Sequence, residues 1–154
     1  MSATGTSQQT LPVIAAELLA ALSEQKTRCR RNNVPFCTPY VFLALLDNPL
    51  GITYRSLETL RKGLALEVWN SLETYDREIR KKPEQPFFDF LWESREDVCR
   101  AQDYAVQDGH QEITDKYLFL SVLNTKSRTQ QSFKRFLGEK QFNRLVEIVI
   151  QTSA

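Results

Sequence analysis

The feature that most constrains this chain is a pattern that occurs twice at one fixed spacing. Residues 37–72 align with residues 113–148 without a gap, at an offset of 76. Four polar positions are identical: Thr38/Thr114, Asn48/Asn124, Thr53/Thr129 and Ser56/Ser132. The apolar pairs carry more weight, because they keep helical periodicity in both copies. They are Val41/Tyr117, Phe42/Leu118, Leu43/Phe119, Leu46/Val122, Leu57/Phe133, Leu60/Phe136, Leu66/Phe142, Trp69/Leu145 and Leu72/Ile148. Upstream, Leu22/Val98 and Cys29/Ala105 fit the same offset. Such a register implies a duplicated four-helix unit. One unit cannot cover its own apolar faces, so the two copies are expected to pack as pseudo-twofold lobes. The expected fold is all-α, with about eight helices and no β-structure.

The elements follow from local pattern. Residues 1–10, MSATGTSQQT, are small and polar and read as a disordered start. Leu11, Ile14, Ala15, Leu18, Leu19 and Leu22 form one apolar stripe of a helix continuing to about Asn33. Thr38-Pro39 opens a second helix, with threonine as the expected cap and proline in the tolerated first turn. Residues 40–46 are apolar nearly all round, so this helix is expected to be central, ending at residues 48–51. A third helix is expected around residues 56–62, closed by Gly63, and a fourth carries Leu66, Trp69 and Leu72. Residues 80–90, with RKKPEQP at their start, read as a linker. The pattern then begins again with Leu91, Val98, Ala101 and Ala105. Thr114-Asp115 forms a second cap, residues 117–123 a second buried helix, and Phe133, Phe136, Phe142, Leu145, Val146 and Val149 the remaining apolar faces. Residues 11–150 therefore form one domain, with repeat one at 11–79 and repeat two at 91–150.

Composition removes several classes. At 154 residues the chain can bury a full core without disulfide or metal staples. Five glycines and six prolines are few for a short-stranded sandwich or barrel. Lys+Arg and Asp+Glu nearly cancel, at 20 and 19, and neither half is a charged tail, so no nucleic-acid or membrane footprint is expected. No apolar run reaches a membrane span. Residues 11–22 lack a preceding basic residue and contain Glu17, so they are not read as a signal peptide. Three cysteines fit a reducing compartment, the cytoplasm or another such as a plastid, better than a secreted disulfide framework.

Chemistry-bearing residues are sparse. Cys29, Cys37, Cys99 and the single His110 make a poor metal set with no CxxC spacing, and no metal or cofactor is expected. Cys29 and Cys37 align with apolar residues and read as core. His110 follows Gly109 at a helix end. Glu93, Glu96, Asp97, Asp103 and Asp108 suit a solvated helix face better than an acid/base pair. Nothing matches a phosphate-cradling GxxxxGK[ST] loop. Catalysis is not expected. Phe87, Phe88, Phe90 and Trp92 crowd the linker with rings, and such a segment is expected to fold back against the lobes or to mark a protein-binding surface.

The doubled pattern resembles the amino-terminal domain of Clp-type AAA+ unfoldases. That domain has two repeats, each with a long helix, then a T-E-H-L-L-L-A-L-L-like helix, then a short L-x-x-L…G segment. Here the first copy reads TPYVFLALLD from Thr38, followed by Arg55, Leu57, Leu60 and Gly63; the second reads ITDKYLFL from Ile113. The resemblance covers most of residues 11–150 and is to the recognition domain alone, free-standing or cut from a longer protein. It implies a non-catalytic module that binds clients, adaptors, an AAA+ unfoldase or a Clp peptidase. Some free-standing relatives are accessory subunits of Clp proteases, which gives the alternative of a structural subunit. In some relatives the glutamate after the threonine helps hold phosphorylated arginine. Here that position is Pro39 in the first copy and Asp115 in the second, so only Thr114-Asp115 keeps the chemistry. The family histidine is Tyr40 and then Lys116. The candidate binding residues are thus Thr38, Thr114, Asp115, Phe87, Phe88, Phe90 and Trp92.

Overall fold

A computed structural model describes residues 13–81 and 92–153. Of the stripe expected from Leu11, only Leu18, Leu19 and Leu22 fall on α1 (Ala16–Asn32), with Leu18 and Leu22 buried and Leu19 exposed; Ile14 lies before it in extended backbone, and the helix is stopped by Asn33 in the left-handed region at φ 53°, a conformation asparagine tolerates. α2 (Thr38–Leu46), α3 (Ile52–Leu60) and α4 (Leu64–Ile79) complete the first half. The second half holds α5 (Trp92–Gln107), α6 (Asp115–Asn124), α7 (Arg128–Leu137) and α8 (Glu139–Gln151). The protein is all-α, as its periodicity requires. No helix among the described residues is long and apolar enough to cross a membrane.

The two apolar helices sit at the centre. Every residue of α2 is buried, as is α6 from Lys116 to Leu123. Phe42 of α2 packs against Phe119 of α6 and Phe133 of α7, at ring separations of 5.7 and 5.2 Å, and Phe133 continues to Phe142 of α8 at 6.2 Å. One aromatic cluster therefore joins the two halves. Lys116 is tolerated in the core because its ammonium donates to the carbonyls of Ile150 (3.1 Å) and Thr152 (2.6 Å), at the end of α8 where a cation suits the helix dipole.

A buried carboxylate ties α1, α2 and α4 together. Asp76 is fully buried and accepts from the Tyr40 hydroxyl (2.8 Å) and Arg28 (2.9 Å), with Arg80 at 3.1 Å. Arg28 also grips Glu73 through both oxygens, at 2.6 and 3.0 Å. The hydrogen bond with Glu73 chiefly holds the Arg28 guanidinium charged, while burial and Asp76 push the Tyr40 phenol far above its ordinary range. At the α3–α4 turn, Glu58 accepts from the backbone amides of Gly63 (3.0 Å) and Ala65 (2.9 Å), and these bonds hold its carboxyl below the usual value.

Several expectations need correction. A parallel pair of two-residue strands exists: β1 (Val13–Ile14) beside β2 (Glu112–Ile113), with Ile14 opposite Ile113. It brings the entry to α1 beside the entry to α6. The third helix starts at Ile52, earlier than residues 56–62. Gly63, at φ 86°, serves the start of α4 and not only the end of α3. Thr38 is not a cap: Cys37 holds the cap position, and the Thr38 hydroxyl donates to Asp97 of α5 at 3.0 Å. Thr114 has cap backbone geometry, yet its side chain makes no capping bond.

The repeat register also fails in the last helix. α1 and α5 begin 76 residues apart, as do α3 and α7, and Cys29 and Ala105 are both buried. In α4 the buried face is Ala65, Val68 and Leu72, whereas in α8 it is Phe142, Leu145 and Val149. These faces correspond at an offset of 77. Leu66, paired with Phe142 at 76, is exposed. A helix rotates by about 100° per residue, so a slip of one residue turns the apolar stripe away from its expected partners. Residues 1–10, Leu11 and most of the linker lie outside the described residues.

A candidate protein-binding groove beside helix α7

The site arises from a difference between α3 and α7, whose first residues, Ile52 and Arg128, correspond at the 76-residue offset of the sequence. In α3, Ile52, Thr53, Ser56 and Leu57 are buried, and the helix packs along α8 and α6. In α7 only Phe133 of the matching four is buried. The other three, Arg128, Thr129 and Ser132, line an open groove with Phe133 and Phe136. α4 contributes Val68, Ser71, Leu72 and Tyr75, and α2 contributes Pro39 and Phe42.

The helix starts explain part of this asymmetry. Asp115, the first residue of α6, reaches across to α3, and its Oδ2 accepts from the Ile52 amide at 2.7 Å. A Cβ on Gly51 would stand 2.8 Å from that oxygen, so the close approach requires glycine. At the matching position of repeat one stands Pro39, which has no carboxylate to offer α7. Instead α7 is capped by its own Ser127, whose Oγ accepts from the Gln130 amide at 3.0 Å. Thus α3 is anchored by the opposite half and α7 by itself.

The groove encloses about 320 Å³, at the lower end of the range for ligand sites. Its α4 wall from Val68 to Tyr75 spans about 10 Å at the helical rise. Phe136 is 50% exposed and Tyr75 36% exposed. Arg128 is the one lysine, arginine or carboxylate side chain in the lining. Such a surface can exclude water from apolar side chains laid along it, each contributing about 1.5–3 kcal/mol when fully buried.

The candidate residues from sequence do not meet in this groove. Thr38 is wholly buried beneath it, engaged with Asp97. Thr114 and Asp115 line a different cavity, of about 260 Å³, together with Glu17, Leu18, Ala21, Leu45 and Asp47. The Thr114 hydroxyl is buried there without a hydrogen-bond partner. Trp92 opens α5, and Phe87, Phe88 and Phe90 lie outside the described residues. Tyr75 and Arg128 carry no role in the sequence reading, and Pro39 and Phe136 appear there only as a helix start and an apolar face. The signal was available as an exchange of Ile52 for Arg128 between the two copies.

The remaining reactive groups sit elsewhere. Cys29 and Cys37 are buried, and burial pushes the Cys29 thiol up to about 12, which disfavours the nucleophilic thiolate. Cys99 is exposed. The His110 ring packs on Tyr117 at 5.6 Å, and its backbone amide donates to Ala105. Among the described residues, no three His, Cys, Asp or Glu side chains gather as a metal site.

The fold and groove together define an all-α domain whose apolar interior opens on one side between α4 and α7. The sequence matches no protein-family model, and no curated protein matches it.

Proposed function

We propose that the chain is a non-catalytic protein-binding module of a Clp-type chaperone or protease system, and that the α2/α4/α7 groove receives a segment of a client, adaptor or partner protein. One observation carries this reading. A repeat position that is closed by helix packing at α3 is left open at α7, with half-exposed Phe136 beside a mostly apolar lining. Its dimensions suit two turns of an amphipathic helix, a recurring mode of peptide recognition. The apolar run that follows a threonine in both segments, TPYVFLALL from Thr38 and TDKYLFLSVL from Thr114, and its resemblance to Clp amino-terminal domains support the choice of system.

The test is a pull-down with purified Clp peptidase, Clp-type unfoldase and an unfolded client, using wild-type protein and Phe136→Asp. Capture of one of these by wild type and its loss in the variant is the expected result. Equal capture by both proteins would remove the groove from the account. Fixed-stoichiometry co-migration with the peptidase, insensitive to client peptides, would assign the structural accessory role instead.

A further inference from the structure

The segment that forms the α7 wall of the groove carries unbalanced positive charge. Residues 116–138 contain Lys116, Lys126, Arg128, Lys134 and Arg135 and no aspartate or glutamate. Lys116 is consumed by carbonyl oxygens at the end of α8. The other four lie on α7 or its approach; Lys126, Arg128 and Arg135 are exposed, whereas the Lys134 ammonium lies over the Phe142 ring of α8 at 5.5 Å and away from the groove lining. None of the four forms an ion pair among the described residues, whereas Arg28, Arg61, Arg80 and Lys81 all do. The chain as a whole carries a formal charge of only +1, so the strip is a local feature. Arg128 is moreover the first residue of α7, where a cation opposes the helix dipole, and it lines the groove.

Resting on the function proposed above, we infer that the groove's occupant is an acidic amphipathic protein segment. Its apolar residues, at helical spacing, lie against Phe42, Leu72 and Phe136, and a carboxylate on its flank meets Arg128. Charge of one sign beside an apolar cleft selects partners and speeds their encounter. A carboxylate at this position satisfies both the guanidinium and the start of α7. The lining favours protein over nucleic acid, because apolar side chains dominate it and no row of donors follows a phosphate backbone.

The test uses a fluorescein-labelled amphipathic peptide of about 15 residues, with leucines at i, i+3, i+4 and i+7 and glutamates on both flanks. A twin peptide carries lysines in place of the glutamates. Binding to the full chain is read by fluorescence anisotropy. The acidic peptide is expected to bind about tenfold tighter than its twin, with the margin shrinking as salt rises. Arg128→Glu is expected to reverse the preference, and Arg128→Gln to abolish it. Phe136→Ala is expected to weaken both peptides alike. Arg128→Glu improves α7's dipole match, so circular dichroism of that variant separates lost binding from lost folding. Equal affinity of wild type for the two peptides would overturn the inference while leaving the groove intact. Indifference of both peptides to Phe136→Ala, or no binding at all, would overturn the groove reading itself. Displacement of the acidic peptide by oligo(dT) at equal concentration would overturn the inference in favour of nucleic acid.

Discussion

α3 and α7 begin 76 residues apart and align in sequence, yet one is a core helix and the other a wall. α3 is covered by α8 and α6 and has its first amide held by Asp115 from the opposite half. α7 presents the matching face to a groove and is capped by its own Ser127. Two helices of similar length therefore serve different ends, packing at α3 and presentation at α7. The difference turns on few residues: apolar Ile52 against charged Arg128, and Asp115 against Pro39.

The strongest way to break this contrast is to exchange its residues. Ile52→Arg places a cation at a buried position of α3 and is expected to cost about 4 kcal/mol or more, whereas Arg128→Ile is expected to stay within about 0.5 kcal/mol. Urea unfolding of both variants checks this, and comparable losses would mean that α3 and α7 are equally covered. Next in size is the α4 wall. Asp76→Ala strands the Tyr40 hydroxyl and part of the charge on Arg28, with an expected loss of about 3 kcal/mol in the same measurement.

The caps sharpen the comparison on a smaller scale. Asp115→Ala is expected to lose about 1–2 kcal/mol and to speed amide exchange at the start of α3, not only at α6. Ser127→Ala is expected to lose about 1 kcal/mol, with faster exchange confined to α7. Faster exchange at α3 in the second variant would contradict the separate anchoring of the two helices. The smallest effect concerns the α3–α4 turn. The Glu58 carboxyl is held below its ordinary value by the Gly63 and Ala65 amides, so its contribution is present above the unfolded carboxylate pKa and is lost as pH falls through the lower folded value. Glu58→Gln is expected to make stability less sensitive to acid, readable from thermal unfolding at several pH values.

Much of the fold was legible because helical periodicity is a local signal. The stripe from Leu18 to Leu22 and the all-apolar runs of α2 and α6 could form little else, whereas Ile14, read into the same helix, lies in the strand before it. The last helix was misread because periodicity does not fix rotation: Leu66 and Phe142 look equivalent in sequence, and only packing shows that the faces differ by one residue. The threonines were read as caps from residue type, but burial beside α5 gives Thr38 a better partner in Asp97. The groove was not anticipated at its true position, since it depends on α7 standing away from α4, a relation between segments far apart in the chain. The 76-residue recurrence nevertheless held its trace.

Hydrogen exchange of the full chain, alone and saturated with the acidic amphipathic peptide, tests the central claim most directly. The account predicts slower exchange in residues 68–75 and 128–136, with α3 and α8 unchanged. Protection centred on α3, or none anywhere despite saturation, would contradict it.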